Sequence, residues 1–161
     1  MAREKIPVTP AVRALRAAQV AFDDHLYAYE DKGGTTVSSR ELGVNEHSVI
    51  KTLVMEGEDR KPLIVLMHGD CKVSTKELAR QAGMRSISPC TPDAAARHTG
   101  YLVGGTSPFG TRSPMPVYME ASIAALQKLY INGGKRGYLV SMDPAELIRV
   151  LKPTLVNVAI A

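Results

Sequence analysis

Two runs of strand-forming residues, Val49 to Met55 and Leu63 to His68, are joined by the polar segment Gly57-Glu58-Asp59-Arg60, the pattern of a β-hairpin. Period-two geometry places Val49, Lys51, Leu53 and Met55 on one face of the first run and Ile50, Thr52 and Val54 on the other. Both faces are dominated by apolar side chains. The strand is therefore expected to be buried on both sides, and the chain must cover each face with further elements. Helical and strand-like stretches follow one another without strict βαβ alternation. The expected fold class is α/β of the mixed α+β kind: a single domain over residues 1–161, with a mixed, partly closed β-sheet or barrel flanked by helices.

Capping residues mark the helices. Thr9-Pro10 is an N-cap with proline at the first helical position, and Val12, Leu15, Gln19 and Phe22 follow at helical spacing, predicting a helix from Pro10 to Gln19. His25 to Glu30 reads as a short strand. Asp31 to Thr36 reads as a loop, with a short helix running through Arg40 to stop at Gly43 and a further turn capped by Asn45. Ser74-Thr75-Lys76-Glu77 has the form of a capping box, predicting a helix to Ala82 that ends at Gly83. Arg85 to Ser88 makes a brief strand, and Thr91-Pro92 opens a helix ending near His98. Pro116 to Met119 is a strand and Ala121 to Leu126 a short helix. Leu129 to Ile131 and Tyr138 to Val140 pair across a glycine cluster. Asp143-Pro144 caps a helix to Leu151, and Leu155 to Ala159 is the last strand.

The net charge of +4 favours polyanionic partners only weakly. Tryptophan is absent and aromatics make up 5%, which disfavours recognition by many stacking platforms. Cys71 and Cys90 form no C-x-x-C pair and read as reduced thiols, so the expected location is cytoplasmic. The charged start Met1 to Glu4 is followed by no apolar run, and nothing approaches the roughly 18 consecutive apolar residues of a membrane span. Neither a signal peptide nor a membrane partner is expected.

Thr99 to Gly110 holds four glycines, a proline and three hydroxyl residues in twelve positions. Such backbone can approach a ligand closely and turn N–H groups toward it; an ordinary surface turn has the same composition. It matches neither a P-loop nor a G-x-G-x-x-G fingerprint. Lys51 is the sharpest single feature. A lysine on a strand buried on both sides must meet an anion, meet an acceptor or lose its proton, unless its stem carries it out to solvent. The four histidines His25, His47, His68 and His98 show no metal-ligand spacing with the two cysteines. No G-x-S-x-G elbow nominates a serine nucleophile. Donors, a positive charge and flexible backbone remain, which is equipment for gripping a polar, anionic ligand.

Ile50-Lys51-Thr52-Leu53-Val54, the run Gly100 to Gly110 and Gly133-Gly134-Lys135-Arg136-Gly137 together closely resemble the YbaK/EbsC family of aminoacyl-tRNA deacylases. The likeness runs from Thr9-Pro10-Ala11-Val12 to the last helix and is greatest with the free-standing Cys-tRNA(Pro) deacylases. The resemblance implies a YbaK-like fold and hydrolysis, in trans, of the ester joining a mischarged amino acid to the terminal adenosine of tRNA(Pro). It also implies prolyl-tRNA synthetase as a partner, with neither cofactor nor metal. The family's essential lysine falls on Lys51 with Thr52 beside it, and its pocket tyrosine on Tyr27. Its substrate loops fall on Gly100, Gly104, Gly105, Thr106, Ser107, Pro108 and Gly110, and on Asn132, Gly133 and Gly134. Some members carry an aspartate where this chain has Leu139. The implied chemistry is attack by the substrate's own thiol, with Lys51 holding a phosphate or ribose oxygen and N–H groups near Gly104 and Gly105 steadying the oxyanion. A water-using editor of Ala-tRNA(Pro), or a non-catalytic module gripping the acceptor end, are the alternatives.

Overall fold

The expected hairpin forms the centre of the sheet. In the computed structural model, which describes residues 5–161, β2 (Val49–Gly57) and β3 (Pro62–His68) pair antiparallel from Ile50↔His68 to Glu56↔Pro62. The charged start Met1–Glu4 lies outside the described residues. Ile50, Ile64 and Leu66 face one hydrophobic core, while Met55, Leu63, Val65 and Met67 face a second. α1 (Pro10–Ala17) and α5 (Pro144–Leu151) cover the first core through Val12, Leu15 and Leu147. α3 (Thr75–Ala82) covers the second through Leu78 and Ala79. The two apolar faces read from the sequence thus each find their layer.

The remaining elements are β1 (Asp23–Leu26), α2 (Gly34–Leu42), a 3-10 turn (Glu46–Ser48), β4 (Lys72–Val73), β5 (Ile87–Pro89) and α4 (Pro92–Thr99). β6 (Val117–Glu120), a second 3-10 turn (Ala121–Ala125), β7 (Leu129–Lys135), β8 (Tyr138–Met142), β9 (Thr154–Val156) and β10 (Ala159–Ile160) complete the chain. Among the described residues the main sheet runs β1-β8-β7-β2-β3-β6-β9, with β5 also on β2, and β4 pairs separately with β10. The pairs β2/β7, β3/β6 and β6/β9 are parallel and the others antiparallel, so the sheet is mixed, as expected.

Several boundaries differ from the sequence reading. The first strand lies at Asp23–Leu26 rather than His25–Glu30, because its partner β8 begins at Tyr138, leaving only a bond from Tyr27 N–H to Gly137 O beyond Leu26. α1 ends at Ala17, since Gln19 takes a left-handed φ of 57°. The stretch from Ala121 is a 3-10 turn, and Ile87–Pro89 replaces Arg85 to Ser88 as the brief strand. The capping box is half made: Ser74 accepts from Glu77 N–H at 3.2 Å, but its own N–H donates to Val158 O and the Glu77 carboxylate pairs with Arg80. The final strand is split in two, because the Glu120 carboxylate accepts the N–H groups of Val158 (2.7 Å) and Ala159 (3.1 Å) where the chain crosses from β9 to β10.

Candidate active site

β2 has two neighbours on the edge away from β3, and neither covers it fully. β7 pairs with it only at Val49 and Ile50, and β5 only from Met55 to Gly57. Between these short ladders, residues 51–54 have no strand partner on that edge. Gly69 N–H donates to Val49 O and Gly57 N–H to Lys61 O, so the odd-numbered residues turn their main chain toward β3. Strand alternation then points the main chain of Thr52 into the gap. Cys90 N–H closes the far end by donating to Val54 O at 3.0 Å. The Thr52 hydroxyl is the one buried side-chain polar atom left without a hydrogen-bond partner among the described residues.

The gap opens into a cavity of about 610 Å³, within the range of roughly 300–1,000 Å³ usual for small-molecule sites. Its floor is β2 from Val49 to Met55. Val37 and Ser38 of α2, Cys90, Ala95 of α4 and Leu139 of β8 form much of its wall. Of the residues singled out in the sequence, Lys51, Thr52, Tyr27, Gly104, Thr106 and Asn132 meet here. The others stand behind the wall. Gly100 terminates α4, Ser107 is buried and accepts from Phe109 N–H, and Pro108 is buried beside it. Gly110 lies against the main chain of Pro10, Gly133 against Tyr138, and Gly134 against Tyr101 and Thr9.

Gly105 holds the two glycine clusters together. A side chain there would meet the main-chain nitrogen of Arg136 at 2.9 Å, so the backbones touch only because glycine is present. Asn132 Nδ2 donates to Gly104 O at 3.0 Å and Arg136 Nε to Val103 O at 2.8 Å. The Arg136 guanidinium also lies 5.5 Å from the centroid of the Tyr29 ring, itself on the cavity wall. Neither Arg136 nor Tyr29 was named as a site residue from the sequence, although Arg136 stands within the Gly133 to Gly137 motif and Tyr29 two residues after Tyr27. Gly105 N–H donates to Leu102 O at 2.9 Å, so this donor is committed to the loop and unavailable to an oxyanion.

Lys51 is half-buried and its ammonium donates to the carbonyl of Cys71 at 2.5 Å. It meets an acceptor, one of the outcomes open to a lysine on this strand. None of the ion pairs among the described residues involves it. A positive charge outside any ion pair therefore borders the cavity.

Neither Cys90 nor Tyr27 of the cavity is an activated nucleophile. Burial, followed by the nearby Glu56 carboxylate, pushes the Cys90 thiol up, which keeps it protonated and weakly reactive at neutral pH. Burial also raises the Tyr27 phenol. No histidine lines the cavity. His25 bonds Ser141 Oγ at 2.8 Å, but neither residue borders this space.

The family model for the aminoacyl-tRNA editing domain matches residues 32–150, a span that holds Lys51 and both glycine clusters. The chain belongs to this family. Its activity is accordingly that of an aminoacyl-tRNA deacylase. Tyr27 lies just before the matched span of the editing domain. EbsC of Enterococcus faecalis, whose name assigns it provisionally to Cys-tRNA(Pro)/Cys-tRNA(Cys) deacylation, is 25% identical over 141 residues, 87% of this chain and 86% of EbsC. YwhH of Bacillus subtilis is 26% identical over 74% of this chain and 76% of its own length. The proline–tRNA ligase of Limosilactobacillus fermentum is 21% identical over 74% of this chain, which spans only 22% of that enzyme. A solved structure described provisionally as a trans-editing enzyme for prolyl tRNA synthetase superposes with a TM-score of 0.82 at 20% identity, covering 96% of this chain and all of that chain. This likeness places the fold in the YbaK-like group. No helix among the described residues is long and apolar enough to cross a membrane.

Proposed function

We propose that residues 1–161 act as one domain that deacylates mischarged Cys-tRNA(Pro) in trans. The observation that carries the reading is a lysine outside any ion pair on the wall of a cavity that holds no histidine and no activated thiol. Such a site suits a substrate that brings its own nucleophile. The cysteine sulfur attacks the carbonyl carbon of its own ester, a C–S bond forms and the C–O bond to the terminal ribose breaks. The thiol proton ends on the departing ribose oxygen, giving free tRNA and a cysteine thiolactone. Holding the thiol and carbonyl in contact can supply about 7–11 kcal/mol of the barrier.

Lys51 holds a phosphate or ribose oxygen of the terminal adenosine. Tyr27, Thr52, Thr106 and Asn132 border the aminoacyl end, while the Gly104 N–H is left as the loop's oxyanion donor. The resemblance to EbsC supports cysteine as the amino acid, and the matches to proline–tRNA ligases support tRNA(Pro) and prolyl-tRNA synthetase as partners. A panel of Cys-, Ala- and Pro-charged tRNA(Pro) tests the reading. The expected result is rapid loss of cysteine with alanine and proline retained. Rapid loss of alanine makes the enzyme a water-using editor, and binding without turnover makes it an acceptor-end module.

A further inference from the structure

Beside the cavity, the first 3-10 turn and the turn between β3 and β4 bring together three groups, of which two are neighbours in sequence and the third is not. His47 Nδ1, Asp70 Oδ1 and Cys71 Sγ all lie within 4.8 Å of one another. We propose that these three side chains form a binding site for a d-block divalent cation of the Zn²⁺ class.

The geometry supports each part of this. Tetrahedral zinc holds its nitrogen, oxygen and sulfur ligands about 3.3–3.6 Å apart, given bonds of about 2.0–2.3 Å. The Cys71 sulfur already stands 3.6 Å from Asp70 Oδ1. His47 Nδ1 is 2.8 Å from the same oxygen and must open by about half an ångström, while the histidine–sulfur pair, within 4.8 Å, must close by up to about 1.3 Å, both within reach of side-chain rotation. A thiolate, an imidazole and a single carboxylate select zinc-class ions over Mg²⁺ or Ca²⁺, which require shells of oxygen.

The ligands are held in place from behind. His47 stacks on His68 at 3.6 Å with ring planes 6° apart, and both nitrogens of buried His68 are engaged by His47 O and Ser122 Oγ. The turn is pinned by bonds from Gly69 N–H to Val49 O and from Cys71 N–H to His68 O. Second-partner support of this kind is what fixes ligand orientation at metal centres. The His47 and Asp70 side chains are each 43% exposed, which leaves a fourth position open to water. The carbonyl of Cys71 is the acceptor of Lys51, so the site adjoins the active-site lysine through one residue's main chain.

The test is titration of the untagged, reduced full-length chain with Co²⁺, followed by displacement with Zn²⁺, a readout independent of deacylation. The expected result is a tetrahedral cobalt spectrum carrying a sulfur-to-cobalt charge-transfer band. Cys71→Ser removes that band, His47→Ala weakens zinc binding roughly tenfold or more, and Cys90→Ser changes neither, with circular dichroism confirming that each variant is folded. A wild-type spectrum without the thiolate band overturns the proposal, as does a band that survives Cys71→Ser.

Discussion

Arg136 donates from Nε to the main-chain oxygen of Val103 at 2.8 Å, tying the turn of one hairpin to the loop beside the cavity. With Asn132 it supplies two side-chain bonds that hold Val103 and Gly104 against the β7–β8 hairpin. Arg136→Ala is predicted to loosen this loop without unfolding the chain. Each such bond contributes about 0.5–1.5 kcal/mol, so kcat/KM should fall roughly three- to tenfold. Amide hydrogen exchange should quicken at residues 102–106, while the denaturant midpoint moves little.

Gly104 has a φ of +87°, and a Cβ there would lie 2.5 Å from the Tyr29 hydroxyl. Gly104→Ala meets both a backbone penalty of about 1–2 kcal/mol and a clash on the cavity wall. Deacylation should drop steeply. Adding Tyr29→Ala removes the clash but not the φ penalty, so the double variant should recover part of the activity lost by the single one, after correction for the effect of Tyr29→Ala alone. Steady-state kinetics on the three variants and wild type checks this.

Glu120 is buried and accepts from Val158 N–H, Ala159 N–H and the Ser122 hydroxyl, which in turn contacts His68. Removing the carboxylate releases two main-chain donors at the β9–β10 crossing. At about 1–3 kcal/mol for an orphaned buried donor, the loss at Val158 alone puts Glu120→Ala roughly 1–3 kcal/mol down in urea unfolding, the exposed Ala159 N–H turning to water. Glu120→Gln retains one acceptor oxygen and should lose clearly less.

Burial depresses the His25 imidazole below its ordinary 6.5; Asp23 and Asp24 oppose the shift and Lys128 adds to it. Above pH 6.5 the ring is neutral in both folded and unfolded chains, and its contribution to stability is fully present. As the pH falls below 6.5 the unfolded chain takes up the proton first, so stability declines until the folded ring also titrates. Chemical unfolding from pH 7.5 down to about pH 5 should therefore show a steeper loss for wild type than for His25→Gln. Equal slopes would contradict the assignment.

The parts of this structure legible in the sequence are those set by neighbours along the chain. Thr9, Ser74, Thr91 and Asp143 each accept an N–H of the helix they precede, and the four helices begin where those residues place them. Both faces of β2 were readable because period-two alternation is local. The cavity was not, since it arises where two partial ladders, to β7 and to β5, leave a gap on one edge. The split after β9 was equally hidden, because it depends on Glu120, which lies 38 residues before Val158. The same limit applies to individual residues. Lys51 stands out as a charge in an apolar strand, whereas the contribution of Arg136 depends on a carbonyl 33 residues away.

The central claim is that the Lys51 ammonium, held on Cys71 O, grips the aminoacylated end of the substrate. Single-turnover deacylation of Cys-tRNA(Pro) by wild type and Lys51→Ala tests it most directly. A charged hydrogen bond of about 1.5–3 kcal/mol predicts a loss of roughly 10- to 100-fold in rate in a variant that keeps its fold by circular dichroism. Wild-type rates from a folded Lys51→Ala protein would contradict the account.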